Sequence, residues 1–185
     1  MAIEIEKKYR LSRTRMDEVA AKLKKMGAVF SSEVFEENYL HRGGLLDERS
    51  AVLRLRKIVG VTLLTYKEKF RNDDDIKHKI EFETVVADVD AMESIIEKLG
   101  YRLSVIYEKH RKTWHFRDVE VVLDELPFGL YMEIEGTIEH IAKAEKVLEI
   151  RDLEPEARGY PRLTLKFGKM IGDVAEARFK RRAAA

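Results

Sequence analysis

The sequence predicts an α+β protein: a closed, mainly antiparallel barrel of about eight strands with helices packed outside. Three observations predict it. Short segments alternate apolar and charged residues with the period of two that marks strands. Segments with apolar residues at helical spacing interrupt them. A strand–helix–strand unit occurs twice, and two similar half-units could close one sheet on itself.

The first strand is legible at once, because Ile3, Ile5, Lys7 and Tyr9 alternate with Glu4, Glu6, Lys8 and Arg10. A helix is predicted over 13–26, with Ser12 or Thr14 as N-cap, Gly27 as its stop, and Met16, Val19, Ala20, Leu23 and Met26 on one face. Strand segments follow at 34–41, 51–58 and 61–69, the last two joined by a turn at Gly60, with a connecting loop at 45–50. A polar excursion, Asn72–Asp75, precedes a strand at 77–85 and a second helix at 88–99 that Gly100 stops. Here Ile3-Glu4-Ile5-Glu6 recurs as Ile80-Glu81-Phe82-Glu83, and Lys25-Met26-Gly27 as Lys98-Leu99-Gly100; in each half the next strand is expected some seven residues on. Strands at 105–116, 119–125 and 130–136, a helix at 138–150, an irregular Gly159-Tyr160-Pro161 segment and a C-terminal helix complete the reading. The expected organisation is one domain over 1–170, then a helix and the basic tail Lys180-Arg181-Arg182 within 171–185.

Composition narrows the function. Charged residues make up 37% of the chain, against about 25% in an average domain. Lys+Arg 35 and Asp+Glu 34 nearly cancel, so no long-range field is available to hold a nucleic acid. There is no cysteine, which excludes disulfides and thiolate metal sites. The five histidines show no ligand spacing for zinc. No apolar run approaches a membrane span, and the charged N-terminal segment is unlike a signal peptide, so the expected compartment is the cytoplasm.

The position of the charges within the strands carries the chemistry. Three strands contain paired acids, Glu4/Glu6, Glu81/Glu83 and Glu133/Glu135; three contain paired bases, Arg54/Arg56, Lys67/Lys69 and Lys109/Arg111. A spacing of two puts both members on one face. Ile5, Phe82, Ile134 and Leu55 lie between members of four pairs, so the opposite face is apolar and suits helices. One such pair would be ordinary on an exposed sheet. Six, sorted by sign and backed by apolar alternates, predict a charged interior in which phosphates complete the cation clusters and divalent ions complete the acids. Trp114, the single tryptophan, is expected in the core.

These residues resemble the CYTH superfamily, which contains class IV adenylate cyclases and thiamine triphosphatases. Glu4-Ile5-Glu6-Lys7-Lys8 matches its opening Glu-x-Glu-x-Lys signature. Tyr39, Leu53-Arg54-Leu55-Arg56, Leu64-Thr65-Tyr66-Lys67, Glu81-Phe82-Glu83, Lys109-His110-Arg111-Lys112, Leu123-Asp124-Glu125 and Met132-Glu133-Ile134-Glu135-Gly136 follow in order. The sequence departs at Gly159-Tyr160, where the family commonly has Ser-Tyr, so the usual serine contact is missing. The resemblance implies a triphosphate tunnel. Glu4, Glu6, Glu133 and Glu135 would be carboxylates for Mg²⁺ or Mn²⁺; Asp124 is counted with them, or with Glu81 and Glu83 orients the bases. Lys8, Arg54, Arg56, Lys67, Lys109 and Arg111 would clamp the phosphates. Lys8, Tyr39, Arg56 and Lys67 are the implied catalytic set, with Tyr39 or an interior lysine of lowered pKa assisting a water nucleophile.

Triphosphate hydrolysis ranks ahead of cyclisation of ATP to cyclic AMP, because the tunnel motif alone suffices for it and no adenine-reading residue stands out. A non-catalytic polyphosphate or nucleotide binder is the rival of another class. The expected partner is a triphosphate-containing small molecule, with no nucleic acid, no membrane, and a homodimer as the default assembly.

Overall fold

The computed structural model describes the backbone of residues 2–69 and 77–180, and the side chains of residues 5–68 and 80–180. The Asn72–Asp75 excursion, the Glu4 side chain and Arg181-Arg182 lie outside the described residues. The first half runs β1 (Ala2–Leu11), α1 (Arg13–Lys25), β2 (Val29–Arg42), α2 (Gly44–Glu48), β3 (Ala51–Ile58) and β4 (Val61–Lys69). The second runs β5 (Lys77–Val86), α3 (Val89–Lys98), β6 (Arg102–Phe116), β7 (Val119–Leu126) and β8 (Gly129–Glu135). Then come α4 (Ile138–Leu148), α5 (Tyr160–Phe167), β9 (Lys169–Ile171) and β10 (Val174–Ala177).

The fold is α+β, a mostly antiparallel sheet with five helices. Its order is β2-β3-β4-β5-β1-β8-β7-β6-β10-β9, and β2 also pairs with β6, so each of β1 to β8 has a paired neighbour on both edges. The repeat read from sequence organises these pairings. β1 lies antiparallel to β5 and β2 antiparallel to β6, so each repeated strand pairs with its own counterpart.

Local chemistry explains the ends of the repeated helices. Ser12 accepts a hydrogen bond from the Arg15 N–H at 3.1 Å, and Asp88 accepts one from the Ala91 N–H at 2.9 Å. Lys22, Lys24 and Lys25 place positive charge on the last turn of α1, where the helix dipole favours it. Gly27 (φ +77°) and Gly100 (φ +86°) then reverse the chain in the left-handed region that glycine tolerates. With the turn this tight, β2 and β6 begin two residues after each glycine, much earlier than the seven expected, and the expected loop at 45–50 holds the short helix α2.

Outward-facing alternates form two of the three core clusters, and the third closes one end of the sheet. Tyr9, Val121, Leu123, Met132, Ile134, Trp114 and Phe116 pack beneath Val19 and Leu23 of α1 and Ile141, Ala144 and Leu148 of α4. Ile96 of α3 covers Leu55 and Val86. A third cluster joins Tyr160 and Leu163 of α5 to Leu40, Tyr107, Leu126 and Tyr131, and to Ala175 and Ala177 of β10.

The C-terminal helix expected over 171–185 is corrected: the helix is α5, and the chain beyond it forms the β9–β10 hairpin. Pro161 in the first turn of α5 presets its backbone. Val174–Ala177 becomes a strand because it pairs in parallel with β6 over Val105–Tyr107, a long-range contact that overrides the local preference of Ala and Glu.

Gly168 is the hinge between α5 and this hairpin. A Cβ there would stand 2.5 Å from the Glu176 carbonyl oxygen and 2.6 Å from that of Thr164. Gly168→Ala should therefore destabilise the protein by about 1–3 kcal/mol through forced backbone shifts. Urea unfolding measures it, and a loss below about 0.5 kcal/mol would contradict this close packing.

Candidate functional site

Inside the sheet lies a cavity of about 590 Å³. The period of two delivers its lining: Glu6 and Lys8 come from β1, Arg54 and Arg56 from β3, Lys67 from β4, Lys109 and Arg111 from β6, and Glu133 and Glu135 from β8. All six bases expected to clamp phosphate thus face one space.

The acids gather at one corner. Glu6, Glu133 and Glu135 each present a carboxylate oxygen, and these oxygens lie within 4.8 Å of one another. Three hard oxygen donors at this spacing, two of them buried, fit a divalent ion of the Mg²⁺ or Mn²⁺ type. Glu6 stands directly opposite Glu135, and Lys8 opposite Glu133. Lys8 Nζ lies 3.0 Å from Glu133 Oε1, and Arg111 Nη2 lies 2.7 Å from Glu133 Oε2. Burial and Glu6 push the Glu133 carboxyl up, but Lys8, Arg111 and Lys109 outweigh them and hold it ionised below the usual range.

Asp124 is a different kind of acid. Arg111 donates to both its oxygens, at 2.8 and 2.6 Å; Lys109 donates at 3.4 Å and the Tyr160 hydroxyl at 2.6 Å. Among the described residues it stands outside the three-carboxylate group, and of its two expected roles its contacts favour the orienting one over that of metal ligand. Three donors converge on Oδ2 and one on Oδ1, an arrangement suited to orienting the bases. Tyr160 also lies under Lys8, whose Nζ is 3.6 Å from the ring centroid. Burial, reinforced by Asp124, pushes the Tyr160 phenol well above its ordinary value and keeps it a donor.

Tyr39 does not reach the cavity, which corrects its expected catalytic role. In β2 the even-numbered Glu36, Asn38 and Leu40 face inward, so Tyr39 faces out, beside Leu55 and Leu64, with Lys57 Nζ 4.6 Å from its ring centroid. The same alternation exposes a residue that sequence reasoning missed. Glu36 is 1% exposed, with Oε2 3.6 Å from Arg56 Nε and 3.5 Å from Lys109 Nζ. Burial opposes its ionisation, but Lys109, Arg111 and Arg56 together hold it far below the usual carboxylate range. Its spacing of two to Asn38 carried the signal, which a search for same-sign pairs passes over.

The remaining bases are partly paired. Arg54 Nη2 donates to Thr65 Oγ1 at 3.2 Å and lies 3.6 and 3.7 Å from Glu81 and Glu83. Lys67 Nζ lies 2.6 Å from Glu81. Among the described residues the buried Nε–H groups of Arg54 and Arg56 have no hydrogen-bond acceptor, Glu36 standing 3.6 Å from that of Arg56. Buried donors left in this state favour an incoming anion.

The CYTH domain family profile matches residues 2–165, leaving β9 and β10 outside the match. The Methanocaldococcus jannaschii protein named "Putative adenylate cyclase MJ0240" is 31% identical over 150 residues, covering 80% of this chain and 84% of that protein. The PH1012 protein of Pyrococcus horikoshii superposes with a TM-score of 0.76 at 22% identity, covering 86% of this chain and 98% of that one. "Putative adenylyl cyclase HpAC1" from Hippeastrum, described with a dominant triphosphatase activity, superposes with a TM-score of 0.68 at 16% identity, covering 93% and 98%. At such identities these two structures share the fold.

Burial, then the neighbouring Arg111, pulls the Lys109 ammonium down to about 8 against Asp124, Glu36 and Glu133. The sign follows. Between about 8 and the ordinary 10.5 the folded chain holds one proton fewer than the unfolded chain, so the cost of burying this charge is relieved as pH rises. The cation available to an anion is lost over the same window. Tripolyphosphate affinity, measured by calorimetry, should fall as pH rises through about 8. Lys109→Arg, which stays charged, should move that fall to higher pH; identical profiles for the two proteins would contradict the assignment.

Proposed function

The chain belongs to the CYTH family, and from that premise we propose that it is a divalent-metal-dependent enzyme that hydrolyses a phosphoanhydride bond of a triphosphate. The observation that carries this reading is the juxtaposition of three carboxylates, with oxygens within 4.8 Å of one another, and six inward bases around one cavity, two of those bases with Nε–H groups that have no hydrogen-bond acceptor among the described residues. We read the ring of strand pairings as a tunnel wall that holds the phosphates between the acid corner and the bases. The description of the Hippeastrum protein supports hydrolysis; the name of the Methanocaldococcus relative favours cyclisation of ATP as the second reading.

In hydrolysis a water oxygen attacks the terminal phosphorus, the bridging P–O bond breaks, and the electron pair leaves on the diphosphate oxygen. Arg54 and Arg56 present guanidinium forks to the phosphate oxygens, while Lys8, Lys67 and Lys109 supply point charges. Arg111, held by Asp124 and Glu133, arrives oriented before any ligand binds. Glu6, Glu133 and Glu135 would hold the divalent ion, which when bound draws charge off the phosphate oxygens.

The deciding assay incubates the protein with tripolyphosphate, thiamine triphosphate or ATP, with Mg²⁺ or Mn²⁺, and resolves the products. Orthophosphate and a diphosphate support hydrolysis; cyclic AMP with pyrophosphate supports the second reading; no turnover of any of them overturns both. Arg56→Ala should lower kcat/KM for tripolyphosphate and ATP alike by about one to two orders of magnitude. If only the melting temperature falls while turnover of the folded variant persists, Arg56 is a structural ion-pair partner. Glu6→Gln keeps shape and removes one carboxylate charge, so Mn²⁺ binding measured by calorimetry should weaken at least tenfold with the fold retained. Unchanged Mn²⁺ affinity would remove Glu6 from the metal site.

A further inference from the structure

We propose that the segment Val174–Phe179 is a clasp that holds the β2–β6 seam in register from outside, with Arg178 positioning Glu36 and Lys109 within the cavity. Its effect on turnover rests on the reading above; its effect on the seam does not.

The seam joins strands far apart in sequence, and its register shifts between Phe30 and Ser32 and again between Leu40 and His41. Two adjacent pairs in it matter. Glu36 stands directly opposite Lys109, facing the cavity, and Glu37 directly opposite Glu108, facing out. A like-charge pair directly across two strands is destabilising. Glu108 makes it worse, because it is only 4% exposed.

The clasp supplies what this pair lacks. β10 first lies along the edge of β6 over Val105–Tyr107, a stretch that β7, which pairs only from His110 onward, leaves uncovered. The chain then crosses the outer face of β6 towards β2. Arg178 Nη1 lies 3.4 Å from Glu37 Oε1 and 3.3 Å from Glu108 Oε1, so one guanidinium bridges the two acids of the seam. Its Nε–H donates to Glu176 Oε2 at 2.9 Å, which anchors it to β10. The Phe179 N–H donates to the second oxygen of Glu108 at 2.8 Å. The Phe179 ring lies 5.0 Å from His110 on β6 and 6.3 Å from Phe35 on β2, and those two rings are themselves 4.9 Å apart across the seam.

The inner and outer pairs are successive residues of the same strands. A register slip that relieved Glu37 and Glu108 would carry Glu36 away from Lys109, since one residue of slip turns every side chain to the other face. The clasp lies beyond the residues that the family profile matches.

The test combines hydrogen exchange with kinetics on the full chain. In Arg178→Ala the amides of residues 36–40 and 105–109 should exchange at least about tenfold faster, while those of α1 and β8 keep their wild-type rates. Its kcat/KM for tripolyphosphate should fall by about tenfold at a temperature well below its melting point, and Arg178→Lys should recover part of that loss. Adding Glu37→Gln to Arg178→Ala should restore protection at the seam, because it removes the repulsion that the arginine neutralises. If Arg178→Ala does not fold, Phe179→Ala must still loosen the same amides. Wild-type exchange at the seam in a folded Arg178→Ala protein overturns the clasp whatever the kinetics show. Loss spread evenly over all amides also overturns it, by reducing Arg178 to a general stabiliser. A wild-type protein inactive towards every triphosphate would sink the proposed function and leave the exchange result to stand on its own.

Discussion

Charges buried inside a protein must be compensated by one another or by a ligand, and this fold is built around that requirement. Lys8, Lys109 and Glu36 are each 1% exposed, and Asp124 is fully buried. Such groups persist because strands bring opposite signs face to face: Lys8 opposite Glu133, Arg111 opposite Asp124, Lys109 opposite Glu36. The apolar alternates are thereby forced outward, and α1, α3 and α4 are needed to cover them. Helices outside and charges inside are one decision, taken by the period of two. Carboxylates still meet at the acid corner, and among the described residues the Nε–H groups of Arg54 and Arg56 have no hydrogen-bond acceptor.

Much of this was legible in the sequence because it depends on local period. Arg54/Arg56 or Glu133/Glu135 announce a shared face from five residues, and helix stops at Gly27 and Gly100 follow from backbone geometry. What escaped depends on pairing between distant segments. Asp124 reads as one more acid until Arg111, Lys109 and Tyr160 are seen to occupy it. Tyr39 sits amid motif residues, yet its odd place in β2 sends it outward, and the same parity brings in Glu36, whose neighbour on that face is a neutral asparagine. β10 is four residues long, too short for any period to show, and it is a strand because β9 and the open edge of β6 pair with it.

α5 ties the interior to the chain beyond the eight strands. Tyr160 reaches Asp124 with its hydroxyl and lies beneath Lys8 with its ring, while the Lys8 ammonium also donates to the Arg158 carbonyl at 3.3 Å. A missing serine at Gly159 therefore does not leave this corner without contacts from the segment. The tyrosine beside it supplies both a donor and an aromatic face, and Leu163 anchors it among Leu40, Tyr107 and Leu126.

The duplicated strand–helix–strand unit gives the wall an approximate twofold relation, since each repeated strand lies against its own counterpart. The contents do not obey it. Glu6 of the first unit meets Glu135 on β8, whereas the matching Glu83 of the second meets Thr65 on β4 and accepts its hydroxyl at 2.7 Å. A neutral hydroxyl in place of a carboxylate is one of the differences between the halves. A ligand with two identical ends would thus meet different surroundings at each of them. Direction enters such a container through its side chains, Thr65 opposite Glu83 among them, and through β10, which lies along β6 and not along its counterpart β2.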